Sequence, residues 1–120
     1  MTILQTDHAI IDDEQFETCL TGEPDMDREL VELAITQWAE SMLDMEKALA
    51  GGDEPLWMHA AHRARGLTGT MGFAKAAALW DAAERHTRSI ATRTEVLEAL
   101  EEAFREARVA LRERGYELPA

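Results

Sequence analysis

Residues 25–52, DMDRELVELAITQWAESMLDMEKALAGG, place Val31, Ile35, Trp38, Met42, Met45 and Leu49 at successive steps of 4, 3, 4, 3 and 4. Those steps hold one apolar stripe on a helix of 3.6 residues per turn. A strand would alternate every second residue instead. Asp25 or Asp27 is the expected start, and the Gly51-Gly52 pair the expected stop. A long helix with one apolar stripe must bury it against other helices, which predicts a bundle.

The flanking sequence supplies the partners. Asp53 or Glu54 caps a third helix with Pro55 at its first position, where the missing N–H costs nothing, and this helix runs to about Met71. Gly72 ends it. A fourth helix over about 73–89 carries Ala76, Trp80 and Ala83 on one side with Leu79 beside them. Thr92-Arg93-Thr94-Glu95 fits a capping box for a fifth helix, striped by Val96, Leu100, Phe104, Ala107 and Leu111 and closed by Gly115. Upstream, Asp12 and Asp13 cap a short helix to about Leu20, halted by Thr21-Gly22-Glu23-Pro24. The expected fold is all-α: an antiparallel up-down four-helix bundle with a short extra N-terminal helix across one end. Residues 1–10 form a flexible tail, 11–114 the bundle and 115–120 a C-terminal tail. Composition agrees, because alanine occurs 20 times and Val plus Ile only 8 times.

Length and charge narrow the function. The 120 residues make one domain. No apolar run reaches a membrane span and no basic segment with an apolar stretch opens the chain, so a cytoplasmic protein is expected. The single cysteine, Cys19, rules out an internal disulfide. A net charge of -12 argues against nucleic acid, whose phosphates need Lys and Arg. The charge is uneven: residues 55–80 contain Arg63, Arg65 and Lys75 and no acid.

The third helix lies inside that window. At about 100° per residue, with Ala60 at zero, Trp57 falls at about 60°, Ala64 at about 40°, Leu67 at about 340° and Met71 at about 20°. This stripe points into the bundle. His62 lies opposite at about 200°, flanked by Gly69, Gly66, Arg65 and His59 at about 180°, 240°, 140° and 260°. Two glycines in an exposed helix cost about 1 kcal/mol each relative to alanine. Gly66, one turn after His62, clears a flank where another molecule's backbone can approach. Arg65 places a cation beside the ring.

The segment Ala61-His62-Arg63-Ala64-Arg65-Gly66-Leu67-Thr68-Gly69-Thr70-Met71-Gly72 resembles the signature of histidine phosphotransfer (HPt) domains, a His followed by x-Leu-Lys-Gly and, six residues further, another Gly. The resemblance spans roughly residues 10–112 and takes in Ile11-Asp12, the turn at 49–53 and the helix ending at Glu84. It implies that His62 is phosphorylated, that Arg65 stands in the place of the family's lysine, and that Gly66 admits a receiver domain. Glu84, 22 residues after His62, matches a position whose polar side chain holds the ring's other nitrogen. Ala64 departs from the usual Leu, and Leu67 and Gly69 occupy positions that are more often Ser or Ala. Arginine keeps the charge of lysine but as a planar fork.

The implied function is a phosphocarrier without kinase activity of its own. It would take a phosphoryl group from a receiver aspartyl phosphate and pass it to another response-regulator aspartate, with Mg²⁺ on the receiver and no cofactor of its own. Its partners would be receiver domains and a sensor or hybrid histidine kinase, met at a surface including His59, Arg63, Gly66, Gly69 and Lys75. A monomer is expected, and a chain starting at Met1 is expected to stand alone rather than form part of a hybrid kinase. The alternative is an HPt-like module that binds and inhibits a receiver or kinase without being phosphorylated. A metal site from His59, His62, Glu84 and His86 is not expected, since His62 points outward. Glycines 66, 69 and 72 match no nucleotide-binding loop. Trp38, Trp80, Met42, Met45 and Phe104 belong to the core, and Trp57 is expected to pack on the N-terminal helix.

Overall fold

The computed structural model describes residues 7–85 and 89–118, and every regular element among them is a helix. α1 spans Asp13–Cys19, α2 Pro24–Gly51, α3 Glu54–Thr70, α4 Ala74–Arg85 and α5 Ile90–Glu113. The all-α expectation holds. The last turn expected of the fourth helix, residues 86–88, lies outside the described residues, as do residues 1–6 of the expected N-terminal tail and 119–120 of the C-terminal one. What is described of the first tail is tied down: the Ala9 carbonyl accepts the Lys75 amide at 2.9 Å, and Ile10 packs against the core.

Helix starts show where local chemistry overrode the simplest reading. α2 is capped by Glu23, which accepts the Met26 amide at 2.7 Å, and not by Asp25 or Asp27. Pro24 follows the cap, where its fixed φ suits a first turn. Asp27 is thereby freed to turn back, accepting from Thr21 N and Thr21 Oγ1 at 2.7 Å each and from Gly22 N at 3.1 Å. α3 is capped by Asp53, which accepts from Leu56 N at 3.1 Å, with Pro55 as the second helical residue. α5 is capped by Ser89, whose Oγ accepts from Thr92 N at 3.1 Å, so the residues of the expected capping box, Thr92 to Glu95, already lie inside the helix.

α2 packs on α3, α3 on α4 and α4 on α5, and α5 closes back on α2. Among the described residues the diagonal pairs make no close backbone approach, which is the square arrangement of four helices. Contacts between α3 and α4 run in opposite order along the two helices: Gly69 meets Ala77, Arg65 meets Asp81 and His62 meets Glu84. The two are antiparallel. Inside lie Trp38, Trp57, Trp80 and Phe73, all fully buried, and each such side chain contributes roughly 2–3 kcal/mol of transfer free energy. Trp38 stacks edge-on against Phe104 at 5.1 Å.

Trp57 corrects the sequence reading. Its indole Nε1 donates to the Ala83 carbonyl at 3.0 Å, and the Arg93 guanidinium lies over its ring at 4.6 Å. It therefore packs among α3, α4 and α5, because α1 crosses the opposite end of α3. There Gly72 (φ 81°) ends α3: Phe73 N donates to Thr68 O at 2.8 Å and Gly72 N to Gly69 O at 3.2 Å. Asp12 N donates to Gly72 O at 2.7 Å, and a Cβ on Gly72 would stand 2.8 Å from Phe16 N. Only glycine satisfies both the left-handed backbone and the close approach of α1.

Candidate functional site

α3 turns Trp57, Ala60, Ala61, Ala64 and Thr68 into the bundle, which leaves His62 on the solvent side with 67 % of its side chain exposed. The helix wheel holds. Gly66, one turn on, has no atom within 4 Å of where a Cβ would lie, so the flank beside the imidazole is open. His59, one turn back, is also exposed.

The ring is not loose. His62 Nδ1 lies 3.0 Å from Glu84 Oε1 on α4, whose side chain is only 19 % exposed. A carboxylate can only accept, so this contact places the ring proton on Nδ1 and leaves the Nε2 lone pair free. Arg65 NH2 stands 3.3 Å from the same Nδ1. Guanidinium can only donate, so the two contacts call for opposite tautomers. The shorter, charge-assisted one to Glu84 decides. Arg65 Nε is 3.1 Å from Glu84 Oε2 but off the hydrogen-bonding direction, so that contact is mainly Coulombic.

Two further residues complete the cluster. Arg65 NH1 lies 3.4 Å from Asp81 Oδ1, which also accepts from Arg85 Nε at 2.6 Å. The Arg85 hydrogen bond, with the charges of Arg85 and Arg65, holds the Asp81 carboxyl below its ordinary value against the opposing effect of burial. Neither Asp81 nor Arg85 was singled out from sequence. The signal was present in the antiparallel register that pairs Arg65 with α4, but spacing along one helix does not reveal it.

The other expected surface residues separate. Arg63 reaches α2, donating to Ser41 Oγ at 3.1 Å and to Asp44 Oδ2 at 3.2 Å. Gly69 is exposed at the seam with α4, where a Cβ would meet that of Ala77 at 3.9 Å. Lys75 turns away to α5 and pairs with Glu106 at 2.7 Å. His86 lies outside the described residues, and among the described ones no three His, Cys, Asp or Glu side chains gather as metal ligands. No helix among them is long and apolar enough to cross a membrane.

Fold and site together define a helical bundle that presents a buttressed histidine to solvent. Among solved structures the chain is similar to histidine-containing phosphotransfer protein B (HptB) from Pseudomonas aeruginosa, with a TM-score of 0.78 over 88 % of this chain and 93 % of that one, at 20 % sequence identity. The fold is HPt-like. No family model matches the chain, and no curated protein matches it in sequence.

Proposed function

We propose that the chain is a phosphocarrier that accepts a phosphoryl group on His62 from the aspartyl phosphate of a receiver domain and passes it to a second receiver aspartate. The observation that carries this reading is the exposed imidazole with Nδ1 engaged by Glu84 and Nε2 open to solvent. In the forward step the Nε2 lone pair attacks phosphorus in line, the N–P bond forms, and the P–O bond to the receiver aspartate breaks with its electron pair returning to the carboxylate. The Nδ1 proton stays in place, and Glu84 balances the positive charge that develops on the ring. Such transfer needs positioning and charge neutralisation more than covalent chemistry, and Mg²⁺ on the receiver supplies part of that charge. Glycines 66, 69 and 72 match no nucleotide-binding loop, which supports reading the chain as a carrier without kinase activity of its own. Arg65 adds a cation next to the ring, and the acid-free stretch of residues 55–80 avoids repelling a phosphorylated partner.

The test is transfer of radiolabel from phosphorylated receiver domains or a hybrid kinase to this protein, run beside His62→Gln. The expected product is acid-labile, base-stable label that is absent from the variant. Binding without label across a broad receiver panel would overturn the carrier and leave the non-phosphorylated inhibitory module.

A further inference from the structure

The outer face of α5 changes sign halfway along its length. Val96, Leu97, Leu100, Ala103, Ala107 and Leu111 point into the bundle. On the solvent side Glu98, Glu101 and Glu102 precede residue 103, and Arg105, Arg108 and Arg112 follow it. The helix macrodipole does not account for this order, because its effect is confined to the end turns. The first turn of α5 holds no acid, and of these arginines only Arg112 lies in the last turn. The acids of the C-terminal half stand to one side: Glu106 pairs with Lys75 of α4 at 2.7 Å, and Glu106 and Glu113 border a groove shared with Ile10. Within the chain Arg105 reaches Glu102 at 2.6 Å and Arg108 lies over the Phe104 ring at 5.5 Å, while Glu98 and Arg112 form no ion pair among the described residues.

A face divided in this way complements a copy of itself turned end for end. A two-fold axis crossing α5 near residue 103 sets two copies antiparallel and brings Glu101 of each level with Arg105 of the other, and Glu98 level with Arg108. Each match then occurs twice, whereas a parallel pairing would oppose like charges. We propose that α5 is a self-association face on which a second copy of this chain docks antiparallel through these two-fold-related charge pairs. Val109, half exposed beside Arg105 and Arg108, adds apolar surface. α5 has 24 residues, which makes it about 36 Å long, and a strip of one helix's width covers roughly 400 Å² on each copy, half of what a stable interface buries. The pairing is therefore reversible, with monomers in dilute solution. At physiological salt the net charge of -12 on each chain is largely screened beyond about 8 Å, while contacts at ion-pair distance persist. α5 is diagonal to α3 in the square, so this face points away from His62 and leaves both imidazoles open to solvent. The association does not rest on the phosphocarrier reading.

The experiment is sedimentation equilibrium of the whole chain over roughly 0.05 to 1 mM protein, the range in which weak association is read as a dissociation constant. It compares the parent with Arg105→Glu, with the double variant Glu101→Arg/Arg105→Glu, and with Lys47→Glu, which alters net charge as much as Arg105→Glu but at an exposed site on α2. Circular dichroism checks that each variant is folded. The parent mass is expected to rise with concentration toward that of two chains at about 0.15 M salt and to fall back at about 1 M. Arg105→Glu breaks both copies of one charge match and is expected to weaken association about tenfold or more. The double variant keeps opposite signs across the two-fold axis and is expected to recover most of the parent affinity, while Lys47→Glu is expected to leave it unchanged. A parent that stays monomeric throughout overturns the proposal, as does a mass that grows past two chains, which marks head-to-tail assembly. Association untouched by Arg105→Glu, not recovered in the double variant, or weakened equally by Lys47→Glu overturns it as well.

Discussion

Gly66 has open space where a side chain would begin, so nothing inside this molecule requires glycine there. Helix propensity favours almost any other residue, by up to about 1 kcal/mol. Gly66→Gln is therefore expected to raise the melting temperature while cutting the rate of label transfer from a receiver by about tenfold or more, since the new side chain stands on the flank beside His62. Melting curves and transfer kinetics on one preparation check both halves, and unchanged transfer would remove Gly66 from the docking surface. His62 and Gly66 were legible from the wheel of a single helix. Glu84 entered through the family resemblance, while Asp81 and Arg85 were not legible at all. Their role depends on the register between α3 and α4, which no pattern within either helix encodes.

At the scale of the element, helix existence was legible and helix starts were less so. Thr92-x-x-Glu95 has the form of a capping box, yet Ser89, three residues earlier, caps α5 because a Ser in extended conformation can reach the Thr92 amide equally well. Asp27 was read as a possible cap of α2 and instead fastens the turn before it. Hydrogen bonds from the Thr21 amide chiefly, with those from its hydroxyl and from Gly22 N, hold its carboxyl below its ordinary value despite an opposing effect of burial. A lowered folded value means that the stabilisation is full above the unfolded value of 3.8 and is lost as pH falls from there through the folded value. Asp27→Asn is thus expected to lower the melting temperature at neutral pH and to flatten its fall below about pH 4. Thermal denaturation from pH 7 to pH 3 measures this; parallel curves for parent and variant would show that the ionised carboxylate contributes nothing.

At the scale of the whole molecule, short turns left little choice of topology, since helices joined by two or three residues must run antiparallel. The end of the bundle that α1 crosses was not legible, and the placement of Trp57 failed for that reason. Gly72 and the segment leading into α1 now assign that end. The same junction bears on the order of assembly. Contacts between α3 and α4 join residues 8 to 26 apart in the chain, whereas Gln15 reaches the Thr70 carbonyl across 55 residues. Closing the longer loop costs more chain entropy and returns only the few contacts of a seven-residue helix. The α3–α4 hairpin is therefore expected to form early and α1 to dock last, so that α1 also opens first under native conditions. In native-state hydrogen exchange the amides of α1 should exchange through a lower-energy opening than those of α2 and α3, and equal protection would contradict this order. The seal over the end of the core would then come and go many times for each complete unfolding of the bundle.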